Sequence, residues 1–487
     1  MNSGHMLRLG RQTLVYGLSG GVLQLLAVLT LPIVARELTT AQYGVLELAT
    51  STLAVVGTLA ELGLTSASQR SYYDYGNEQS GERRVVLTTA GLTYLASIVA
   101  ATAILVLLRV PLASFLFNDR DDGRLVVLAA ASLPMTAAAT FTREVMRLHF
   151  RAWHYLASSV AGGVAGGAFI AIGLLVLHMK VDGVLLSTVI AGGVASLYGL
   201  AVIRGDVGGR VSRAELRTMF AYGLPLVPTA LALWALALID RIMLSKLSNL
   251  SQVGEYAMAN RIGLVLTLAA TAFATAYSPF MLSLYAEDPE EEKRARAKAL
   301  TYMSLGFGLL TLLVSLFARE LLELVAPRFS SAYEAIGMVS FGLAVNGIAN
   351  IAVGGITLAR ETRSLLYFSG AAAIVNIALN FALIPAWGML GAAFATVVAY
   401  LLLFGFYYRK AQRVYHTPYD LPRLLRLGAL TAAATAVGAI PIDPLGLALA
   451  IKCSVVVFFL LGLRLTNVLG SEDLAVIRAT VRTRFAG

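Results

Sequence analysis

Three arginines, Arg143, Arg147 and Arg151, recur every fourth residue. On one helix that spacing stacks them into a single basic stripe. A guanidinium donates two parallel hydrogen bonds to phosphate oxygens, so the stripe suits a pyrophosphate. It equally suits an anchor on ordinary lipid phosphates. Elsewhere charge interrupts apolar runs. "WALALIDRIMLSK" (Trp234–Lys246) carries Asp240 and Arg241 side by side. Adjacent helical residues point about 100° apart and do not face each other. Each is therefore expected to find its own partner, at the rim of a water-filled cavity or among headgroups. Arg261 is the deeper charge, expected to face Asp240, a substrate, or an ion-pair partner in the other half of the chain.

Further candidates are spread along the chain. Arg36 ends an apolar run, as a rim residue or a snorkelling anchor. Glu61, Arg70 and the "RSYYDY" segment outline a cytoplasmic mouth in which Tyr72 and Tyr73 stack on sugars or belong to the membrane interface. Glu61 or Asp240 is a carboxylate able to carry a coupling proton, because burial raises its affinity for protons. Asn346 with Asn350, and Asn376 with Asn380, are amide pairs one turn apart. They line a cavity or hydrogen-bond neighbouring helices. Gly162, Gly163, Gly166 and Gly167 read as a close helix contact.

Other motifs carry no chemistry. "NDRDDG" (Asn118–Gly123) lacks the alternating acids and closing glutamate of a calcium loop. "DPEEEKRARAK" (Asp288–Lys298) reads as a solvated helix start, with Asp288 as cap, Pro289 in the first turn, and Glu290–Arg294 and Glu292–Arg296 at i, i+4. No phosphate-binding G-x-x-x-x-G-K-[ST] occurs. The single cysteine, Cys453, supports neither a disulfide nor a metal site. No cofactor or metal is expected.

The elements that must position these residues follow from composition. Apolar residues make up 58% of the chain and charged ones 14%, with a mean hydropathy of +0.75. Ordinary soluble domains run nearer about 25% charged. Apolar runs recur from end to end, each of the ~20 residues that cross a bilayer as a helix. The expectation is an all-α polytopic membrane protein with about fourteen spans. The first six are 14–35, 42–66, 85–108, 125–148, 157–178 and 183–203. The next six are 220–240, 253–282, 299–318, 333–357, 365–384 and 388–407, and two more follow near 427–440 and 446–464. The N-terminal run reads as a retained first span, being too long for a signal-peptide core.

The net charge of +10 is not read as a nucleic-acid signal, because basic residues gather in alternate short loops. One set holds Arg8 and Arg11, Arg70, Arg83 and Arg84, Arg143, Arg147 and Arg151, Arg204 to Arg217, Lys293 to Lys298, Arg360 and Arg363. Arg409 to Arg426 and Arg464 to Arg484 complete it. The other loops, near Pro385 and Pro441 for example, are nearly bare. This bias orients both termini towards the cytoplasm. The segment from Ser471, with Leu474, Ile477, Val481 and Phe485 against Arg478 and Arg482, reads as an amphipathic helix on the inner leaflet.

The halves also echo each other. "YGL" at Tyr16–Leu18 recurs at Tyr222–Leu224, Gly44 in "TAQYG" matches Gly254 in "SQVGEY", and "GVLLSTVIA" from Gly183 matches "GAAFATVVA" from Gly391. The shared offset predicts two parallel six-helix repeats, residues 1–210 and 211–415, with two extra helices and the tail in 416–487. Transporters built this way bind substrate near the repeat interface.

Four stretches carry a resemblance: "GLSGGVLQLLAVLTLPIVARELTTAQYGVLEL" (Gly17–Leu48), "ELGLTSASQRSYYD" (Glu61–Asp74), "IDRIMLSKLSNLSQVGEYAMANRI" (Ile239–Ile262) and "NIALNFALIPAWGMLGAAFATVVAY" (Asn376–Tyr400). They resemble the multidrug, oligosaccharidyl-lipid and polysaccharide exporter superfamily, and within it the polysaccharide biosynthesis or O-antigen flippases. The resemblance implies a V-shaped bundle with a cationic cavity. It implies movement of polyprenyl-pyrophosphate-linked oligosaccharide between leaflets of the cytoplasmic membrane by alternating access. Its partners would be lipid-linked oligosaccharide, membrane lipids, a polysaccharide polymerase and glycosyltransferases, with no nucleic acid. No covalent bond is made or broken, so the chain is not expected to be an enzyme. Within that frame the cationic cavity comprises Arg36, Arg70, Arg143, Arg147, Arg151, Arg241 and Arg261, with Glu61 and Asp240 for coupling or gating and Asn346 and Asn350 as polar lining. A multidrug cation antiporter of the same architecture and a lipid II flippase remain alternatives. A membrane glycosyltransferase would need a larger catalytic loop.

Overall fold

The computed structural model of the chain describes residues 3–470 except 77, 360, 362 and 441–444, with side chains from residue 20 onward apart from 276, 279 and 445. The side chains of Arg8 and Arg11, residue Arg360, the loop at Pro441 and the expected tail helix from Ser471 lie outside the described residues. In hydrocarbon no water is available to backbone N–H and C=O groups, so apolar segments must satisfy them internally as helices. Every described element is helical. Among the described residues, twelve helices are long and apolar enough to cross a membrane. The difference from the expected fourteen arises at two places. The 52-residue stretch Arg363–Val414 runs as two helices meeting at a kink at Gly388 (φ 54°, ψ −130°), so the expected spans 365–384 and 388–407 are both present within one continuous element. Helix Leu421–Ala436 has only 16 residues, short for a bilayer crossing.

The chain forms two compact units, residues 1–257 with 325–329, and residues 258–324 with 330–487. The first unit runs past the expected repeat boundary at 210, because helix 213–247 packs with helices of the first six. Its elements are α1 (Ser3–Glu37), α2 (Thr40–Glu61), α3 (Leu64–Asp74), α4 (Ser80–Leu107), α5 (Arg109–Phe117), α6 (Gly123–Leu148), α7 (Ala152–Ala171), α8 (Lys180–Ile203), α9 (Arg213–Gly223), α10 (Val227–Leu247) and the start of α11 (Leu250–Glu287). A capping box opens α2: the Gln42 N–H donates to Thr39 Oγ1 at 3.2 Å and the Thr39 N–H to Gln42 Oε1 at 3.0 Å. At the same offset as the Gly44–Gly254 match, the Gln252 N–H donates to Asn249 Oδ1 at 3.0 Å to open α11. On α7, a Cβ at Gly162 would strike the Ala191 carbonyl of α8, so this glycine face is a helix contact.

The second unit holds the rest of α11, then α12 (Pro289–Leu316), α13 (Ala318–Val325), α14 (Tyr333–Leu358), α15 (Arg363–Val414), α16 (Leu421–Ala436) and α17 (Leu445–Leu465). Asp288 caps α12, its carboxylate accepting the Glu290 and Glu291 N–H groups at 2.9 and 3.1 Å. The two arms of α15 are joined by buried amides. Asn380 Nδ2 donates to Asn376 Oδ1 at 3.0 Å, and Asn376 Nδ2 to Thr396 Oγ1 at 3.4 Å. Buried Lys452 of α17 pairs with Glu320 of α13 at 2.5 Å.

Candidate functional site

Helix α2 ends where Leu62 and Gly63 take left-handed conformations (φ 55° and 68°). Gly63 there abuts the backbone of Gly223, leaving no room for a Cβ on either. The half-buried carboxylate of Glu61 lies in the last turn before this break. Close approach of the two glycines brings α3 alongside α9, and a cleft of about 470 Å³ opens between them. Arg70, Ser71 and Asp74 line it from one face of α3, and Arg217, Thr218 and Tyr222 from one face of α9. The Arg70 guanidinium sits 4.7 Å from the Tyr222 ring centroid, a cation–π contact. Among the described residues neither Arg70 nor Arg217 has an ion-pair partner. Their forks remain free for phosphate oxygens, and one carboxylate, Asp74, tempers two cations.

The expected Arg143–Arg147–Arg151 stripe does not form. Helix α6 stops at Leu148, Phe150 turns left-handed (φ 56°), and Arg151 caps the next helix. Arg147 is held by Glu144 at 2.8 Å, and Glu144 also accepts from Gln69. Arg151 makes two bonds to Asp206, at 2.5 and 3.0 Å, and one to the Val202 carbonyl at 3.2 Å. Arg143 reaches Thr140 Oγ1 at 3.4 Å and no carboxylate among the described residues. One acid a turn away on the same helix, Glu144, and one from a distant segment, Asp206, thus neutralise two of the three arginines.

The same end of the first unit is braced around Tyr72 and Tyr75. Tyr72 lies under the Arg83 guanidinium (4.6 Å) and bonds His149 at 3.3 Å. It is buried, whereas Tyr73 is exposed. Arg83 donates to the Tyr75 carbonyl at 2.7 Å, and Tyr75 OH donates to Glu215 at 2.5 Å. The Glu215 bond, aided by burial, pushes the Tyr75 hydroxyl up to about 12.

Asp240 and Arg241 depart from expectation in a different way: they bond each other. Arg241 Nη1 lies 3.1 Å from Asp240 Oδ1, and its main-chain N–H donates to the same oxygen at 2.8 Å. The long guanidinium folds back over the turn, which Cβ directions alone do not disclose. Its Nε donates to Glu47 of α2 at 2.7 Å and Nη1 to the Ala237 carbonyl at 2.7 Å. Tyr256 of α11 donates to Asp240 Oδ2 at 2.6 Å. Asp240 and Arg241 are 2% and 6% exposed. This closed network clamps α2, α10 and α11 and offers Arg241 little to donate to a substrate. Arg36 and Arg261 are exposed, at the end of α1 and on α11.

Asn346 and Asn350 line a cleft of about 580 Å³ within the second unit, between α11, α12 and α14. Arg296 lines it too, and here the reading of a solvated helix start is overturned. Glu292 and Arg296 are 0% and 2% exposed and form an ion pair. Glu292 also accepts the Tyr415 hydroxyl at 2.7 Å, and this bond together with burial raises the Tyr415 hydroxyl above its ordinary range. Glu290 and Glu291 do face solvent, bonding Lys293 and Arg294 one turn on.

Arg217 and Arg296 are the residues sequence reasoning passed over. Both carried a signal. Arg217, Thr218 and Tyr222 repeat at helical spacing, as do Arg70, Ser71 and Asp74. Glu292 and Arg296 continue the small and polar stripe of Ser304, Gly308, Thr311 and Ser315, all buried on α12.

Comparison with known proteins accords with this architecture. A family model described as polysaccharide biosynthesis protein matches residues 9–285, and a MatE model matches residues 225–382. An uncharacterized membrane protein of Methanocaldococcus jannaschii is 26% identical over 204 residues, 40% of this chain and 39% of that protein, so the match spans well under half of the relative's length. The lipid II flippase MurJ in an inward closed conformation superposes with a TM-score of 0.72 at 12% identity, over 92% of this chain and 98% of that one. An inward-facing multidrug resistance MATE family transporter gives 0.63 at 14% identity, over 81% and 96%. The MATE transporter VcmN of Vibrio cholerae gives 0.58 at 16%, over 83% and 96%. These structures share the fold. With a family model spanning more than half its length, this multi-pass membrane chain belongs to the polysaccharide biosynthesis protein family of the multidrug, oligosaccharidyl-lipid and polysaccharide exporter superfamily of transporters.

Proposed function

We propose that the protein is a flippase that moves polyprenyl-pyrophosphate-linked oligosaccharide across the cytoplasmic membrane for cell-surface polysaccharide assembly. The observation that carries this reading is the Arg70–Arg217 cleft, lined by two arginines that have no ion-pair partner among the described residues, with the Arg70 guanidinium against the Tyr222 ring. Guanidinium forks match phosphate oxygens in geometry and charge. A cavity built for organic cations would instead gather carboxylates. The basic character of this end, with Arg83, Arg84, Arg147 and Arg151 close by, supports its facing the cytoplasm under the positive-inside bias. On this reading both termini are cytoplasmic, the pyrophosphate is captured at the inner leaflet, and alternating access carries the glycan across without covalent chemistry. A polymerase and glycosyltransferases would act before and after it.

Reconstitution in liposomes tests the reading. Purified folded protein should move a polyprenyl-pyrophosphate oligosaccharide to the outer leaflet, and Arg70→Ala with Arg217→Ala should abolish this while leaving the melting temperature within a few degrees. Protein that moved only small organic cations would overturn it. Transport confined to lipid II would replace the proposed substrate by that lipid.

A further inference from the structure

We infer that the cleft of the second unit is a glycan subsite selective for uncharged sugar residues. The inference rests on the flippase reading for its substrate and on the cleft's own chemistry for its selectivity. At about 580 Å³ the cleft is within the range of small-molecule sites.

Among the described residues its only charged lining residue is Arg296, and that charge is matched. Glu292 takes the guanidinium from one side, and the Ile351 carbonyl accepts from Nη1 at 3.2 Å on the other. Gly354 makes room for this arrangement, since a Cβ there would collide with Nη1. The cleft is therefore close to neutral, unlike the cationic Arg70–Arg217 cleft. Neither a pyrophosphate nor an organic cation gains from entering it.

The remaining polar groups await a neutral partner. The groups that face the cleft are side-chain amides, whereas the Tyr277 hydroxyl is shut off from it and only its ring belongs to the lining. Asn350 Nδ2 donates to the Asn346 carbonyl at 3.2 Å, which leaves Asn350 Oδ1 and the side-chain amide of Asn346 for a ligand. A carboxamide offers both donors and an acceptor, as a sugar hydroxyl requires. Beside them the rings of Phe273 and Tyr277 stack, with centroids 4.9 Å apart and planes 23° apart. They provide an apolar wall for the C–H face of a pyranose. An acyl chain would cover the amides without giving them partners, which is unfavourable. Convergent neutral polar groups against an aromatic wall fit an uncharged sugar best.

Saturation-transfer NMR on full-length protein in nanodiscs tests this. The probes are cellotriose, maltotriose and N-acetylchitotriose, with trigalacturonate as the acidic counterpart and farnesyl pyrophosphate as a separate probe of the Arg70–Arg217 cleft. At least one neutral trisaccharide should bind, and trigalacturonate should bind more weakly than it. Phe273→Ala should weaken saccharide binding severalfold by removing part of the aromatic wall. Asn346→Leu with Asn350→Leu should remove saccharide binding and leave farnesyl pyrophosphate binding unchanged. The inference is overturned if no neutral trisaccharide binds, if trigalacturonate binds best, or if these variants bind saccharide like the parent. Should saccharide binding follow the asparagines while farnesyl pyrophosphate fails to bind, the flippase reading falls and the sugar site stands.

Discussion

Gly44 of α2 and Gly254 of α11 meet backbone to backbone. A Cβ on Gly44 would strike the Leu250 carbonyl oxygen, and one on Gly254 the Thr40 carbonyl oxygen, each one turn before the other glycine. The contact is reciprocal, and both partners sit five residues after a capping residue, Thr39 or Asn249. Neither main chain can yield without tearing its first helical turn.

Gly254→Ala should therefore destabilise the protein by about 1–3 kcal/mol, the range for overpacking a tight contact. Gly193→Ala on α8, where a Cβ meets nothing, should be neutral or slightly stabilising, since alanine restricts the unfolded chain. Thermal unfolding of detergent-purified protein measures both. Equal melting temperatures for the two variants would show that the crossing is loose.

Arg241 compensates two carboxylates, half-buried Glu47 and buried Asp240. Removing one member of a buried ion network leaves charge without compensation and costs about 3–5 kcal/mol. Arg241→Met should show a loss of that size. Adding Glu47→Gln should recover part of it, giving a non-additive double-mutant cycle. Additive effects would count against a direct coupling between α2 and α10.

The two arginines held by acids differ in worth. The Arg147 side chain is 52% exposed and pairs within its own helix, so Arg147→Gln should change stability by less than about 1 kcal/mol. Arg151 joins two helices through Asp206, which is 11% exposed. Arg151→Gln should cost about 1.5–3 kcal/mol, as for a hydrogen bond to a charged group. Chemical or thermal unfolding ranks them, and the reverse order would contradict the geometry.

Tyr75 predicts a pH dependence at the alkaline end. Its hydroxyl is raised from 10.0 to about 12, chiefly by donation to Glu215. Below pH 10 the folded and unfolded states both keep the proton, and the contact contributes in full. Between 10 and about 12 the unfolded chain releases its proton first, so stability falls as pH rises. Tyr75→Phe should flatten that part of a melting-temperature profile. A profile identical to that of the parent would mean that the hydroxyl is not held by Glu215.

The hydropathy of the chain specified a helical membrane protein, and the placement of its spans needed nothing beyond residue counts. Burying one apolar stretch as a helix is a local requirement, because the backbone must be satisfied within the segment itself. The Asp288 cap of α12 was legible for the same reason, since it depends on residues a few positions apart, and the Gly44–Gly254 match was legible as a repeated motif. The kink at Gly388 falls where the expected spans 365–384 and 388–407 meet, beside Pro385.

Charges followed a different rule. Arg143, Arg147 and Arg151 look alike in the sequence, yet Asp206 and Glu144 remove two of them from service while Arg217 joins Arg70 from 147 residues away. Glu292 and Arg296 resemble their solvated neighbours and are buried. Arg241 finds Glu47 across 194 residues. Local sequence determined that this chain crosses a membrane and where its helices begin. Tertiary structure alone decided which cations keep free donors, because a charge is neutralised by whatever the fold places within a few ångströms, whatever its distance along the chain.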